Sequence, residues 1–354
     1  KYTNKLYSFE LLYQRREDGS HPFFRMTVPK LTFSQKAAKT VGTIELQLQS
    51  SPVFVSLIIV TFIVFCAALA LNFLASEPTL IEGLFLHGIA NVSAEFPLNI
   101  TPANWAFSIW SIIYALQLVW NIYSVGLVCR STTEGPAYLN PIILSPAYFI
   151  FFNLSSAFNI GWLFLWDRYL FLASFIFIAC IALSLFLSLA IASSRFVMFK
   201  DTLVNQGRNN EIPILLVAVI NGLAMYATWT VIASVINLGV VFTYKWSQPI
   251  TNENSSVICI SILAFFAVIY IALDVTVFER YTRYSLSPYA VVIWGLAAIV
   301  SRNYDPNNVS SIISAVLLGA VSLAFVIKLG ITFYNYSNVK YRYTQMKDGI
   351  KHPL

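Results

Sequence analysis

The sequence predicts an all-α protein, a polytopic transmembrane bundle of about eight helices. Hydrophobic residues make up 58% of the 354 residues and charged residues only 11%, whereas a soluble domain carries about a quarter charged residues. The apolar residues are grouped in long runs, each near the roughly 20 residues that a helix needs to cross a bilayer. The net charge of +6 therefore informs on orientation in the membrane, and no nucleic-acid partner is expected.

Eight apolar runs are predicted to be spanning helices, at about 52–75, 103–128, 142–165, 169–193, 212–242, 256–278, 286–301 and 309–334. Thr101 as N-cap and Pro102 in the first turn mark the start of the second run. The seventh run is short, and Ser287 and Pro288 mark its start. The predicted organisation is a basic amino-terminal tail at 1–50, five helices at 51–243, three further helices at 244–336 and a tail at 337–354.

The basic residues predict the orientation of these helices. Of the 22 lysines and arginines, eighteen fall on the side of the amino terminus, Lys328 lies within a helix, and only Arg168, Lys245 and Arg302 fall on the other side. Because cytoplasmic loops are enriched in basic residues, both termini are predicted to be cytoplasmic. In a eukaryotic cell the sequence predicts the plasma membrane or an endomembrane. Four N-glycosylation sequons then fall in outer loops, at Asn91, Asn99, Asn254 and Asn308.

Aromatic and polar side chains recur at helical spacing in three of the predicted helices. The second helix carries Phe107, Trp110, Tyr114, Gln117 and Asn121, the third Ser155, Asn159, Trp162 and Trp166, and the fifth Trp229, Ala233 and Asn237. Each set shares one helix face. Amide side chains need partners in a bilayer, so these faces are expected to converge on a pocket for an apolar ligand. For any single residue, helix packing or an interface belt is the alternative.

The sequence does not predict an enzyme. The histidines His21, His87 and His352 lie outside the predicted helices, and no nucleophile elbow or phosphate-binding glycine motif is present. The four cysteines show no CxxC spacing, so neither a zinc site nor a required disulfide is expected. No catalytic residue, metal ligand or required cofactor is predicted.

Two ionisable residues, Asp274 and Lys328, lie within apolar runs at similar depth. We expect them to pair or to share a polar cavity, the alternative being that each extends to the interface. Such a pair would suit a proton-coupled secondary transporter, which is the alternative function. Transporters often contain internal repeats, and none is recognisable between the two halves of this sequence.

Three sequence blocks resemble the tryptophan-rich sensory protein family, also called the TspO/MBR or translocator-protein family. TPANWAFSIWSIIY at 101–114 is similar to the second helix of the family, NLSSAFNIGWLFLW at 153–166 to the third, and WTVIASVIN at 229–237 to the fifth. The order and spacing of the blocks match the family across about 52–242. The three helices after residue 256 exceed the compact five-helix form, so the chain resembles a longer form.

The resemblance implies that the first five helices form a TspO/MBR-like bundle whose pocket opens toward the first loop. Family members bind flat hydrophobic ligands such as tetrapyrroles, and some bind sterols. Residues implied to line or support the pocket are Trp110, Tyr114, Asn153, Asn159, Trp162, Trp229, Ala233 and Asn237, to which the spacing adds Phe107 and Gln117. The expected function is that of a sensor or translocator, with the bilayer and a hydrophobic small molecule (porphyrin or haem being one candidate) as partners. A homodimer is left open.

Overall fold

The computed structural model describes residues 52–245 and 247–351, with side chains described as far as residue 335. The predicted tail at 1–50 and residues 352–354 lie outside this part. The eight main helices are α1 Pro52–Ser76, α2 Ile109–Val128, α3 Pro146–Asp167, α4 Phe171–Asn205, α5 Gly222–Val240, α6 Asn252–Val275, α7 Ser287–Asn303 and α8 Val309–Lys351. The predicted all-α membrane bundle is confirmed.

Shorter elements connect these helices. Single-turn or two-turn helices lie at Pro78–Leu80, Ile89–Glu95, Asn104–Ser108 and Glu279–Thr282, and a hairpin pairs Ser131–Thr132 with Gly135–Pro136. Helix α5 is the middle of one continuous helical segment that begins with Glu211–Ile214. π-helical turns at Leu215–Asn221 and Val241–Lys245 flank it.

Within the described residues, seven helical segments are long and apolar enough to cross a membrane. Helix α7 occupies the place of the predicted seventh span, but its 17 residues make it only about 25 Å long. Helices α4 and α8 extend beyond the predicted membrane spans. These helices continue to Asn205 and Lys351, because hydropathy identifies only the apolar part of a helix.

The first five helices pack as a closed ring. Helix α1 contacts α2 and α3, α4 contacts α3 and α5, and α2 closes the ring against α5 and the π-helical turn before it. Helices α6 and α7 pack on the outer side of α5, and both contact α8. The segment containing α5 is therefore the most buried span. In its most apolar stretch 67% of the residues are buried, compared with 22% in α8.

A buried carboxylate fixes one end of α2 to the start of the α5 segment. Glu211, only 4% exposed, accepts hydrogen bonds from Arg208 at 2.8 Å, from Arg130 at 2.7 Å and from the Tyr123 hydroxyl at 2.6 Å. Two guanidinium groups and a hydroxyl compensate for its lost hydration. The cluster thus holds together two of the helices that carry the predicted aromatic faces.

Candidate functional site

A cavity of about 520 Å³ lies between α1 and α2 and extends to α3. A smaller chamber of about 60 Å³ adjoins it and extends to α5. The two volumes share four lining residues, Ile89, Phe107, Trp110 and Trp162, so we treat them as one site, the aromatic cavity. Its size falls in the range of small-molecule sites, about 300–1,000 Å³.

Aromatic rings form most of the inner wall of the aromatic cavity. Trp110 stacks on Tyr114 with ring centroids 5.5 Å apart, and Trp162 stacks on Trp166 at 5.9 Å. Trp229 meets Trp110 edge to face at 6.3 Å. The two near-parallel pairs of rings, the first of which meets a perpendicular indole, offer flat apolar faces that suit a planar or fused-ring ligand.

Several polar atoms of this wall are buried without a hydrogen-bond partner among the described residues. They include Nε1 of Trp162, Nε1 of Trp229 and Oδ1 of Asn237. The Asn237 amide nitrogen is engaged, since it donates to the Ser174 hydroxyl at 3.1 Å. An indole has one polar atom and can only donate, and leaving such a donor buried and unpaired costs about 1–3 kcal/mol. These two donors and one acceptor therefore belong to residues that line the cavity.

Unpartnered polar atoms also occur elsewhere in the described residues, for example on Gln117 and Tyr148. Those atoms do not border the aromatic cavity. The indole nitrogens differ because their rings line a volume that can hold a ligand.

Seven of the ten predicted site residues line the aromatic cavity: Phe107, Trp110, Tyr114, Trp162, Trp229, Ala233 and Asn237. Asn159 supports the wall from behind. Its Oδ1 accepts a hydrogen bond at 2.6 Å from the amide of Asn72, which does line the cavity, and the Tyr114 hydroxyl is buried beside it.

Gln117 and Asn153 are not among the lining residues of either volume. Gln117 accepts a hydrogen bond from the Trp120 indole at 2.6 Å and packs close to Gly222 of α5. Asn153 donates to the Thr61 hydroxyl at 2.7 Å. Both lie on the expected helix faces but beyond the depth of the cavity, where the same faces pack against neighbouring helices.

The sequence prediction missed the contribution of α1. Leu69, Asn72 and Phe73 form the opposite wall of the cavity, although α1 reads as a uniformly apolar run. One signal was available, because Asn72 is the only amide side chain in Pro52–Ser76. An asparagine within a membrane span indicates a buried polar contact.

The loop between α1 and α2 covers the outer end of the cavity. Its short helix Ile89–Glu95 contributes Ile89, Ala90 and Ser93 to the lining. Oδ1 of Asp167, at the end of α3, accepts from the backbone N–H groups of Leu86 at 2.8 Å and His87 at 2.6 Å. The loop is therefore an anchored cover, and His87 points to the end of α3 and does not line the cavity.

The side of the cavity between α1 and α2 is exposed at the surface of the helix bundle. Phe73 is 61% exposed, and Ser111 and Ala115 across the gap are also exposed lining residues. Ser111 and Ala115 contribute only small side chains to this side of the cavity. The cavity is therefore open at the lateral surface of the helix bundle.

Asp274 and Lys328 form the pair that the sequence predicts. Lys328 Nζ lies 2.8 Å from Asp274 Oδ2, which also accepts from the Tyr289 hydroxyl at 2.7 Å. The two side chains are almost completely buried, so neither extends to the interface. Neither residue lines the aromatic cavity.

The sequence matches the family model of the TSPO-like proteins over residues 58–329. The chain belongs to this TSPO-like family. The match begins in α1 and ends in α8, so α6, α7 and most of the apolar part of α8 lie within the region that the family model covers. Neither the curated proteins nor the solved structures include a significant match.

Proposed function

We propose that this TSPO-like protein binds a hydrophobic ligand of tetrapyrrole or sterol type in the aromatic cavity, and that it acts as a sensor or translocator and not as an enzyme. The observation that carries the proposal is the pair of unpartnered indole donors, on Trp162 and Trp229, beside a cavity of ligand size. Buried donors normally have partners. A ligand acceptor would supply one.

The lining favours a ligand with a flat apolar body and at least one hydrogen-bond acceptor. The stacked pairs Trp110–Tyr114 and Trp162–Trp166 provide the apolar contact. A carbonyl or carboxylate oxygen would accept from the indole N–H groups, and a ligand hydroxyl or N–H could donate to Asn237. Tetrapyrrole carboxylates and a sterol hydroxyl both meet part of this requirement.

The ligand would enter from the bilayer and not from water. The loop anchored by Asp167 covers the outer end of the cavity, whereas the opening beside Ser111 and Ala115 faces the membrane. An apolar ligand concentrates in the bilayer before binding, so this route avoids transfer through water.

A binding titration with matched tryptophan variants tests the proposal. Purified protein is titrated with protoporphyrin, haem or cholesterol, and binding is read from porphyrin absorbance or from radiolabelled cholesterol, so that loss of a tryptophan does not change the signal. For at least one ligand, Trp162→Phe and Trp229→Phe should each weaken binding about fivefold to tenfold, the effect of one lost hydrogen bond of about 1–1.5 kcal/mol.

Trp105→Phe is the matched control. Trp105 is 45% exposed and packs edge to face against Trp294 outside the cavity. The Trp105→Phe variant should therefore bind the ligand with the same affinity as the unaltered protein. Equal losses for all three variants, or none for Trp162→Phe and Trp229→Phe, would contradict the proposed site. An enzyme would convert its bound ligand with time, whereas the proposal predicts an unchanged ligand spectrum.

The buried ion pair of Asp274 and Lys328 favours a second candidate function, proton-coupled transport. Ionisable residues within membrane-spanning helices often belong to ion or proton pathways. In proteoliposomes with a pH gradient, Asp274→Asn should abolish uptake of the ligand if transport is the function, while ligand affinity stays unchanged. Uptake that is independent of the pH gradient would rule out this coupling.

We also propose that the loop covering the cavity faces the non-cytoplasmic side, as the distribution of basic residues predicts. Of its two sequons, Asn99 is engaged with Glu253 at 2.7 Å, whereas Asn91 is exposed. Expression in a glycosylating cell should therefore modify Asn91, and Asn91→Gln should remove a mass shift that glycosidase treatment also removes. If a cysteine placed at position 91 is labelled only from the cytoplasmic side, the proposed orientation is wrong.

A further inference from the structure

A second cavity, of about 600 Å³, lies on the other side of α5. Helices α4, α5, α6 and the start of α7 line it, and nearly all of the lining surface is apolar. We call it the apolar groove. On α4 it is lined by Phe175, Ala179, Ala182 and Phe186, and on α6 by residues between Ile262 and Leu273. Exposed Phe266 and Ile269 show that its edge faces the lipid.

A third volume, of about 510 Å³, lies at the end of α4 against the loop between α6 and α7. We call it the basic pocket. Its charged lining residues are Lys200, Arg280, Arg283 and Glu279. Arg283 is already engaged, because it donates two hydrogen bonds to Glu279 at 2.7 and 2.9 Å. This guanidinium holds the pKa of the Glu279 carboxyl below its usual range, so that pair stays ionised and neutral overall.

The other two cations of the basic pocket have no carboxylate partner among the described residues. Lys200 lies over the ring of Tyr284, 6.0 Å from its centroid, and Arg280 is exposed. Among the ion pairs of the described residues, none includes Lys200 or Arg280. Within the described part of the chain, the pocket therefore presents two positive charges without a carboxylate partner, beside the half-buried ring of Tyr284.

The basic pocket and the apolar groove follow the same face of α4. Phe186, Val197 and Lys200 are separated by eleven and three residues, which keeps them on one side of a helix with 3.6 residues per turn. Lys200 lies about 21 Å along the helix from Phe186. On the opposite wall the two volumes come closer, since Ser285 lines the basic pocket and Pro288 lines the groove.

We propose that the two volumes together bind one anionic phospholipid from the leaflet on that side of the membrane. The phosphate would lie against Lys200 and Arg280, and an acyl chain would extend along α4 into the apolar groove. Charge complementarity decides the occupant: two cations without a carboxylate partner among the described residues, at the end of α4, lie near an apolar groove on the same helix face. This arrangement matches a molecule with a negative head and an apolar tail. A sterol or a second copy of the apolar helix face would leave these cations without a counter-ion.

This site is separate from the aromatic cavity, and its test does not depend on the proposed function. Purified full-length protein in neutral detergent is mixed with phosphatidylglycerol or phosphatidylcholine carrying the same acyl chains, and retained lipids are counted by native mass spectrometry. Phosphatidylglycerol should bind at least tenfold more tightly. Each uncompensated cation near a membrane surface contributes about fivefold, so Lys200→Gln with Arg280→Gln should remove most of this preference.

Lys245→Gln is the matched charge control. Lys245 also lies over an aromatic ring, that of Phe171 at 5.6 Å, but at the opposite end of α4. Its loss should leave the lipid preference unchanged. Equal binding of the two lipids by the unaltered protein, or an equal effect of Lys245→Gln, would overturn the proposal.

The acyl-chain part is tested by filling the groove. Ala182→Phe should reduce retention of phosphatidylglycerol about fivefold or more, whereas Ala67→Phe, at an exposed position of α1, should not. Glycerol phosphate, which has the head group but no chain, should fail to displace the lipid at millimolar concentration. If glycerol phosphate displaces the lipid, or if Ala182→Phe has no effect, the site binds phosphate but does not bind the acyl chain. Either result would contradict the proposal.

Discussion

The aromatic cavity and the apolar groove lie on two faces of the same helix, and they differ in what their polar atoms do. Trp229, Ala233 and Asn237 of α5 line the aromatic cavity, whereas Thr228, Ser234 and Leu238 line the groove. On the first face the Trp229 indole N–H has no partner among the described residues. On the second, the Ser234 hydroxyl donates to its own helix, at 2.6 Å from the Thr230 carbonyl.

The charged groups nearest the apolar groove are also engaged with each other and do not face its interior. Tyr289 lines the groove, and its hydroxyl donates to Asp274, which pairs with Lys328. Neither Asp274 nor Lys328 lines the groove. Asp274 Oδ1 has no partner in the described part of the chain, but it too is set behind that wall. A polar atom that borders a cavity can select a functional group, whereas one engaged behind the wall mainly stabilises the fold.

The largest expected effect comes from breaking the ion pair beside the groove. Lys328→Met leaves the Asp274 carboxylate buried without its counter-ion, which should lower the free energy of unfolding by about 3–5 kcal/mol. The apparent melting temperature in detergent measures this, and Lys245→Met, at an exposed position, is the control. Adding Asp274→Leu to Lys328→Met should recover much of the loss. If Lys328→Met melts like the unaltered protein, the pair has no structural role.

The second prediction separates the two volumes by ligand binding. Ala233→Leu fills part of the small chamber of the aromatic cavity and should weaken binding of the hydrophobic ligand about tenfold, the scale of one or two misplaced methylene groups in a pocket. Ala179→Leu makes the same change in the apolar groove and should alter this affinity less than about twofold. A reversed order of effects, measured by the same absorbance titration, would place the ligand in the groove instead.

The smallest expected effect concerns the support behind the aromatic wall. Asn72→Leu removes the hydrogen bond to Asn159, and a bond between membrane helices contributes about 0.6 kcal/mol on average. Asn153→Leu removes the comparable bond to Thr61 outside the cavity. Both variants should lose similar, small amounts of thermal stability, but only Asn72→Leu should weaken ligand binding. Equal affinities in the two variants would show that the Asn72–Asn159 contact does not position the wall.

Much of the candidate site could be predicted because its residues repeat at helical spacing. Trp110 and Tyr114, or Trp229 and Ala233, lie on one face of any helix that contains them. The depth of the cavity could not be predicted in this way. Gln117 continues the face of Trp110 and Tyr114, yet it lies where α2 packs against Gly222, and only the neighbouring helix determines where open space gives way to contact.

The contribution of α1 and the apolar groove required the tertiary structure for a related reason. Leu69 and Phe73 are ordinary apolar residues of a membrane span, and their role depends on a gap to α2. Lys200 and Ala182 are eighteen residues apart on one face of α4. This face forms part of a pocket only because the short helix Glu279–Thr282 packs against the end of α4.

The sequence by itself determined that the chain is a bundle of membrane helices, because hydropathy and length are local properties of each run. It also indicated that Asp274 and Lys328 would pair, share a polar cavity or extend to the interface, because charge within an apolar run is costly. Only the tertiary structure decided which polar residues line a cavity. Cavities arise from the distances between helices, and a helix face alone does not encode the distance to its neighbour.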